Sequence, residues 1–411
     1  MFRSYLKIAI KVLLRRKFFT VVSLFGISFT LVVLMVATAI LDHMLAPYPP
    51  EVNQGRTVAI TRAAMFGERT MWQSSPGFRL LDRYARDLPG AERMSVFTSG
   101  TQAYAYPNGS KVNLSLKRTD GEFWRILQFE FIEGAPYTTE DVESASMVAV
   151  VTRTTRERLL LGKTAVGLTA EVDGQRFRVV GVVEDVPRLR LIPFAEMWAP
   201  YTTAKSDSYK AELLGGFNAI VLARDRAAIP GMQEELRSRL ARAELPDPKR
   251  LSTLVAPLES TFEALARTNI RSERSQSEQL WLLMVGGALL FMLLPAVNLI
   301  NLNVSRIMER ASEIGVRKAF GASSRTLVGQ FIVENLVLTG IGAVTGSVAS
   351  VVVLKAISVS GVIPYAELHL NLRILVYGIA LAGFFGVFSG VLPAWRMSRL
   401  HPVQALKGAA R

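Results

Sequence analysis

The chain has 411 residues, 50% of them hydrophobic, a net charge of +14 and no cysteine. It is too long and too apolar for one ordinary soluble domain, and the absence of thiols excludes disulfides, thiol catalysis and Cys-ligated metals. Residues 42–279 hold 31 Lys/Arg against 30 Asp/Glu and the remainder 17 against 4, so the basicity lies outside the globular part and nucleic acid is not an expected partner.

Residues 1–17 form a basic tail with Arg3, Lys7, Lys11, Arg15, Arg16 and Lys17 and no acid. Phe18–Leu41 follows, 24 residues without a charge, enough to cross a hydrocarbon core that needs about 20. Ala37-Thr38-Ala39 has the look of a cleavage site, but the apolar run and the tail before it are long for a signal peptide. Residues 18–41 are therefore read as an uncleaved transmembrane helix.

Residues 42–279 read as an external α+β domain in two lobes. Thr57–Thr61, Val148–Thr152 and Gln175–Val183 have strand character, the last after an Asp173-Gly174 hairpin turn. Pro76–Leu88 and Met232–Ala243 have helical spacing. Gly162-Lys163-Thr164 resembles the end of a phosphate loop, but the required earlier glycine is replaced by Glu157, so a helix end and turn is expected. The histidines His43, His369 and His401 are far apart, no metal site is expected, and no GxSxG or HExxH pattern occurs. A non-catalytic chain is expected.

Leu280–Ser305 is a second uncharged run, of 26 residues, carrying Pro295, Asn298, Asn301 and Asn303 near its end. Asn side chains in hydrocarbon usually seek partners across helices. A charged segment, 306–326, comes next, followed by a third span (327–357), a short external loop (358–373), a fourth span (374–395) and a tail (396–411). Glu334, beside the basic edge of the third span, is expected to snorkel or pair with Arg325 or Lys318. Gly342 and Gly346, and Gly386 and Gly390, form GxxxG pairs that let helices approach closely, within one bundle or between subunits. The three basic segments belong in the cytoplasm by the positive-inside rule, so both termini are expected inside and residues 42–279 outside. The fold class is a membrane protein with four transmembrane helices, one plus three, around a large extracytoplasmic α+β domain.

The segment Glu309-Arg-Ala-Ser-Glu-Ile-Gly-Val-Arg-Lys-Ala-Phe-Gly-Ala is short, charged and helix-prone. Glu313 and Arg317 stand i, i+4 in the favourable order. Gly321 can end the helix and Ser323 or Ser324 can cap the next. A stiff rod joined to two spans suits the transmission of motion from a cytoplasmic partner; its cations would also favour anionic lipid heads.

These residues resemble the ER-x-x-EIG-x-RKA-x-GA signature of MacB/FtsX-type ABC transporter permeases. The likeness continues through Gln330-Phe331 and Glu334. It returns at Leu392-Pro-Ala-Trp-Arg with His401-Pro-Val-Gln-Ala-Leu, and at Val148-Ala-Val-Val-Thr, Asp173-Gly174 and Arg178-Val-Val-Gly-Val-Val, which are similar to a MacB-type periplasmic core domain. The resemblance implies a dimeric permease, homo- or heteromeric, in the bacterial inner membrane. It would work by mechanotransmission with an ABC ATPase, and with a periplasmic adaptor and outer-membrane channel as further partners. No Walker A is present, so ATP and Mg are expected in a partner chain and no cofactor in this one. Contacts to that ATPase are expected from Glu309, Arg310, Glu313, Ile314, Gly315, Arg317, Lys318, Phe320 and Gly321. Export of a drug, peptide or other small molecule is the leading expectation. A signalling permease acting on an external partner such as a cell-wall hydrolase, or a lipoprotein-releasing permease, is the alternative.

Overall fold

The computed structural model describes residues 2–15, 17–160, 164–272, 274–309, 316, 320, 323–366, 368 and 370–398. The chain divides into two compact units: Met1–Asp42 with Trp281–Val362 and Glu367–Arg411, and His43–Leu280 with Ile363–Ala366.

The first unit is helical. Helix α1 (Phe2–Arg15) occupies what composition marks only as a basic tail. Its Ala9 and Leu13, one turn apart, are buried while Lys11 and Arg15 face out, so the segment is amphipathic. The long helices are α2 (Lys17–Leu45), α5 (Ser277–Glu309), α6 (Ser324–Ser360) and α7 (Leu372–Ser398), with α3 and α4 in the second unit. Three of these helices contain stretches long and apolar enough to cross a membrane, Lys17–Leu45, Ser277–Asn298 and Val328–Ser360; in α7 the apolar stretch is Leu372–Phe388. Each helix overruns its uncharged core by several residues, because helical hydrogen bonding does not stop where the charges begin. Helix α5 passes through Pro295 unbroken. Ser323 caps α6, its Oγ accepting from Thr326 N at 3.2 Å. Gly361, with φ of 67°, closes the other end in the left-handed conformation glycine tolerates.

Helix α2 buries Ser23, Ile27, Thr30, Leu31, Met35 and Ala39 along one stripe. Glycines bring its neighbours onto it. A Cβ at Gly342 would lie 2.8 Å from the Ile27 side chain, and one at Gly346 would lie 3.1 Å from Ser28 Cα. Ser28 Oγ donates to Gly342 O at 3.1 Å. A Cβ at Gly378 of α7 would be 3.0 Å from Leu31 and Met35. Gly386 lies against Thr339 of α6, and Gly390 lies in α7. Glu334 of α6 is buried and accepts from Gln330 Nε2 at 2.9 Å; Lys318 lies outside the described residues. Asn298 and Asn301 are exposed on this single chain.

The second unit is α+β. Its strands are β1 (Thr57–Ile60), β2 (Ala63–Phe66), β3 (Met71–Pro76), β4 (Ala91–Thr98), β5 (Thr101–Ala105), β6 (Val112–Thr119) and β7 (Phe131–Gly134). They continue as β8 (Val148–Thr152), β9 (Thr169–Val172), β10 (Gln175–Val183), β11 (Met197–Pro200), β12 (Leu214–Gly215), β13 (Phe217–Ala223) and β14 (Thr253–Val255). Two sheets result, one of ten strands and one of four in the order β12-β3-β2-β14. In the larger, β6-β11-β8-β10-β9-β5 returns to β6, so six strands close on themselves. Phe177, Val179, Val151, Leu116 and Met197 fill the interior. Leu159 of α3 (Arg153–Leu160) joins the same cluster.

Strands β4, β13 and β1 extend this ring outward and are covered on both faces. One cluster joins Val58, Val96 and Val221 to Met232 and Leu236 of α4 (Ile229–Ala241); the other joins Ala59, Phe97 and Ile220 to Phe123, Trp124 and Trp198. Strand β13 is accordingly buried at every position, as a strand with two covered faces must be.

Strands at Val148–Thr152 and Gln175–Val183 fall as the sequence pattern places them. Asp173 and Gly174 form the turn with φ of 50° and 71°, the pair of positive values a two-residue hairpin needs. Pro76–Leu88 does not form the continuous helix its spacing suggests. Pro76 ends β3, Gly77 is extended and donates to Leu213 O at 2.8 Å, and only Phe78–Leu80 and a turn at Leu81–Ala85 are helical. The tertiary hydrogen bond overrides the local pattern. Helix α4 starts at Ile229, ahead of the expected Met232; it continues a 3-10 turn, Arg226–Ala228, that Asp225 caps by accepting from Ala228 N at 2.8 Å, and Pro230 stands in its first turn, where proline is tolerated.

The glycine contacts generate a paired expectation. Gly346→Leu must displace backbone and should destabilise the folded protein by about 1–3 kcal/mol. Gly340→Ala, with nothing within 4 Å, should be neutral or better because alanine is the stronger helix former. Thermal unfolding in detergent compares them, and equal effects would refute close α2–α6 packing.

Candidate functional site

Of the expected ATPase contacts, Glu309 ends α5, and Phe320 lies in a turn with its ring 88% exposed. Arg310, Glu313, Ile314, Gly315, Arg317, Lys318 and Gly321 lie outside the described residues. The described structure draws attention elsewhere, to the points where the chain enters and leaves the external unit.

At the first crossing the chain has just left α2. Arg190, buried, reaches back to it. Its Nη1 donates to Glu51 Oε2 at 3.1 Å and to Tyr48 O at 3.1 Å, and Nη2 donates to Ala46 O at 3.0 Å. At the second crossing, before α5, Arg267 Nε donates to Glu259 Oε1 at 2.6 Å, and Nη1 donates to Ser272 O at 2.7 Å. Glu259 is itself fixed to β1, exchanging backbone hydrogen bonds with Ala59 at 2.7 and 2.9 Å. Both ion pairs are nearly inaccessible to solvent. Burial pushes both carboxyls above their usual range, and the facing guanidinium pulls each back without overcoming it.

A third attachment comes from the loop between α6 and α7. Pro364 O accepts from Arg188 N at 3.3 Å, and Tyr365 OH donates to Glu196 Oε1 at 3.3 Å. Tyr365 has φ of 60°, costly for a bulky side chain and held by these contacts. Burial first, then the Glu196 charge, pushes its hydroxyl up to about 12.

Residues 187–194 gather these attachments. Pro187 and Pro193 bracket a stretch that cannot become regular structure, since proline removes a donor and biases its predecessor to extended backbone. Pro187 O and Arg190 O close local turns with Arg190 N and Phe194 N, and the carbonyls of Leu191 and Ile192 accept from a side chain. Lys117 of β6, 1% exposed, donates from Nζ to Leu191 O at 3.1 Å and to Ile192 O at 2.5 Å. It lies over the Phe97 ring at 5.2 Å. Burial pushes this amine down to about 7, against the pull of Glu51. One segment thus holds the first crossing through Arg190, the α6–α7 loop through Arg188 and the ring of strands through Lys117.

The sequence pattern offers no signal for these pairs. Glu51 and Arg190 are 139 positions apart, and Glu259 and Arg267, eight apart, flank a helix rather than share its face. Among the described residues no group of three or more metal-ligating side chains is placed to hold an ion.

Comparison with known proteins bears on the whole chain. Residues 20–239 match the MacB-like periplasmic core domain model, and residues 285–402 match the FtsX-like permease C-terminal model. The chain is 24% identical over 340 residues to the ABC transporter permease YvrN of Bacillus subtilis, covering 79% of each. It is 24% identical over 420 residues to the macrolide export ATP-binding/permease protein MacB of Wolinella succinogenes, covering 98% of this chain and 60% of that one. Several other macrolide export relatives are covered only over 41–46% of their length. A solved extracellular domain of the ABC-type transporter YknZ is 14% identical, with 48% of this chain and 98% of that one covered and a TM-score of 0.37.

Two outcomes follow from the buried charges. Glu51→Gln leaves Arg190 uncompensated and should cost roughly 3–5 kcal/mol, whereas Glu51→Leu with Arg190→Met should cost less; additive costs in a denaturation series would contradict a coupled pair. Lys117 has its amine at about 7 against an ordinary 10.5, so above pH 7 the unfolded chain binds the extra proton. Its stability penalty is fully present below pH 7 and is relieved as pH rises toward 10.5, at up to about 1.4 kcal/mol per pH unit. The difference between wild type and Lys117→Met should carry that slope, and a flat difference from pH 7 to 9.5 would be the opposing result.

Proposed function

The chain belongs to the MacB/FtsX-type family of ABC transporter permeases, and on that premise we propose that it converts ATP hydrolysis by a separate ATPase subunit into motion of its external domain. The observation that carries this reading is the pair of buried ion pairs at the two crossings, joined by the α6–α7 loop attachment. Both pairs lie within the external unit, near the two ends of its main segment, and freeing either end from the rest of that unit would require breaking a buried charge pair, at a cost of several kcal/mol. In this reading a pull on either end of the external unit is passed into the body of that unit.

In this reading residues 306–321 dock on the ATPase. Glu309, Arg310, Glu313, Arg317 and Lys318 supply charge, Ile314 and Phe320 apolar contact, and Gly315 and Gly321 close approach. ATP and Mg are bound by the partner. A second permease, identical or related, completes the membrane part, and anionic lipid lies against the basic segments. In this reading, by the positive-inside rule, both termini lie in the cytoplasm of a bacterial inner membrane and residues 42–279 outside. The work done is export of a drug, peptide or other small molecule, with a periplasmic adaptor and an outer-membrane channel as further partners. The relatives named for macrolide export support that direction.

Two measurements test the reading. Tagged wild-type chain should co-purify an ABC ATPase in mild detergent, and Glu313→Lys with Arg317→Glu should lose it; no ATPase with either would remove the power source. The chain has no cysteine, so Arg176→Cys, exposed on β10, takes a single spin label. The label-to-label distance between two copies should change between nucleotide-free and vanadate-trapped complexes. Glu51→Leu with Arg190→Met should shrink that change by at least half, and an unaltered change would sink the reading that the fixed ends of the external unit carry the motion.

A further inference from the structure

The external unit contains a cleft of about 910 Å³, and its lining charges are not balanced in their commitments. Its two carboxylates are occupied. Glu196 accepts from Ser115 N at 2.8 Å, Arg158 Nη1 at 3.0 Å and Tyr365 OH at 3.3 Å. Glu259 is paired with Arg267. The cleft's two guanidinium groups, Arg62 and Arg188, form no ion pair among the described residues. Arg62 donates one hydrogen bond, to Arg267 O at 3.2 Å, and Arg188 lies over the Phe194 ring at 6.0 Å. Both are exposed. Apolar side chains line the same space: Leu191 is 74% and Leu265 45% exposed, with Ile192 and Phe194 partly covered beside them.

Arg62 feels Glu259 only as a weaker charge beyond that carboxylate's own partner. An apolar surface whose two exposed guanidinium groups form no ion pair among the described residues, and whose acids are already paired, complements one class of molecule. A chain of methylenes would cover Leu191 and Leu265, at about 25 cal/mol per Å² removed from water, and a terminal anion would meet guanidinium groups suited to bidentate oxygen recognition. A cationic or zwitterionic head would gain nothing from carboxylates already satisfied. We propose that this cleft binds a single-chain amphiphile with an anionic head group. Pro364 and Tyr365 form part of its wall, so the bound molecule would touch the loop that joins α6 to α7. The inference rests on the permease reading for its meaning, as a cargo or regulator of the external domain, but its test needs no ATPase.

The source could be a free fatty acid or a membrane lysolipid, and two probes separate them. Full-length protein in nanodiscs of neutral lipid is exposed to a photoactivatable fatty acid or its methyl ester, and in a second arm to photoactivatable lysophosphatidylglycerol or lysophosphatidylcholine. Labelled peptides are mapped by mass spectrometry. An anionic probe should label residues 188–194 and 261–265 at least fivefold more than its uncharged or zwitterionic counterpart, and the probe that does so identifies the source. Arg62→Ala with Arg188→Ala should lower that labelling at least fivefold. The double lysine variant should keep at least half, separating lost charge from lost structure. Leu191→Glu, at an exposed position, should lower it without changing the melting temperature. Labelling confined to the helical unit, equal labelling by the counterparts, or labelling unaffected by the alanine pair would overturn the proposal.

Discussion

A charge removed from water must be met by an opposite charge at fixed geometry, or the fold pays several kcal/mol for it. This molecule places that constraint near the two ends of the external unit's main segment, among that unit's own residues. Glu51–Arg190 fixes the outgoing chain and Glu259–Arg267 the returning one. Neither pair is a strong source of net stability, since burial raises both carboxyls against their partners. Their value lies in geometry: the guanidinium that holds the carboxylate also holds the carbonyls of Ala46 and Tyr48, or of Asn269 and Ser272. A hydrophobic contact of equal stability would permit sliding, whereas these hydrogen bonds have direction and fix the end residues of the external unit against its interior.

The segment 187–194 shows how irregular backbone is used for this purpose. Between two prolines its carbonyls stay outside the sheet ladders, and Lys117 takes two of them. The same few residues hold Pro364 and line the cleft. The ring of strands, Pro364 and the cleft wall therefore share one set of contacts, made by short hydrogen bonds rather than by a diffuse core.

In the helical unit the governing term is different. Water is not available to drive apolar surfaces together in lipid, so close backbone approach and short polar contacts decide association. Gly342, Gly346, Gly378 and Gly386 make room for Ile27, Leu31 and Thr339. Ser28 Oγ adds a bond to Gly342 O. The small residues thus serve packing within this chain, between α2, α6 and α7.

Long uncharged runs bounded by cations made the spanning helices and the division into two units legible from the residues alone, because hydrocarbon and water impose their patterns residue by residue. Strands Val148–Thr152 and Gln175–Val183, with the Asp173-Gly174 turn, were legible for the same local reason, and so was family membership through the segment around Glu313. The helix at Pro76–Leu88 was misread because Gly77 is held by Leu213, far away in sequence. The closed ring of strands, the two buried ion pairs and the cleft were decided only by the tertiary structure. Glu51 and Arg190 stand 139 positions apart, the cleft gathers residues from Ala59 to Tyr365, and no periodicity records which buried charge will face which.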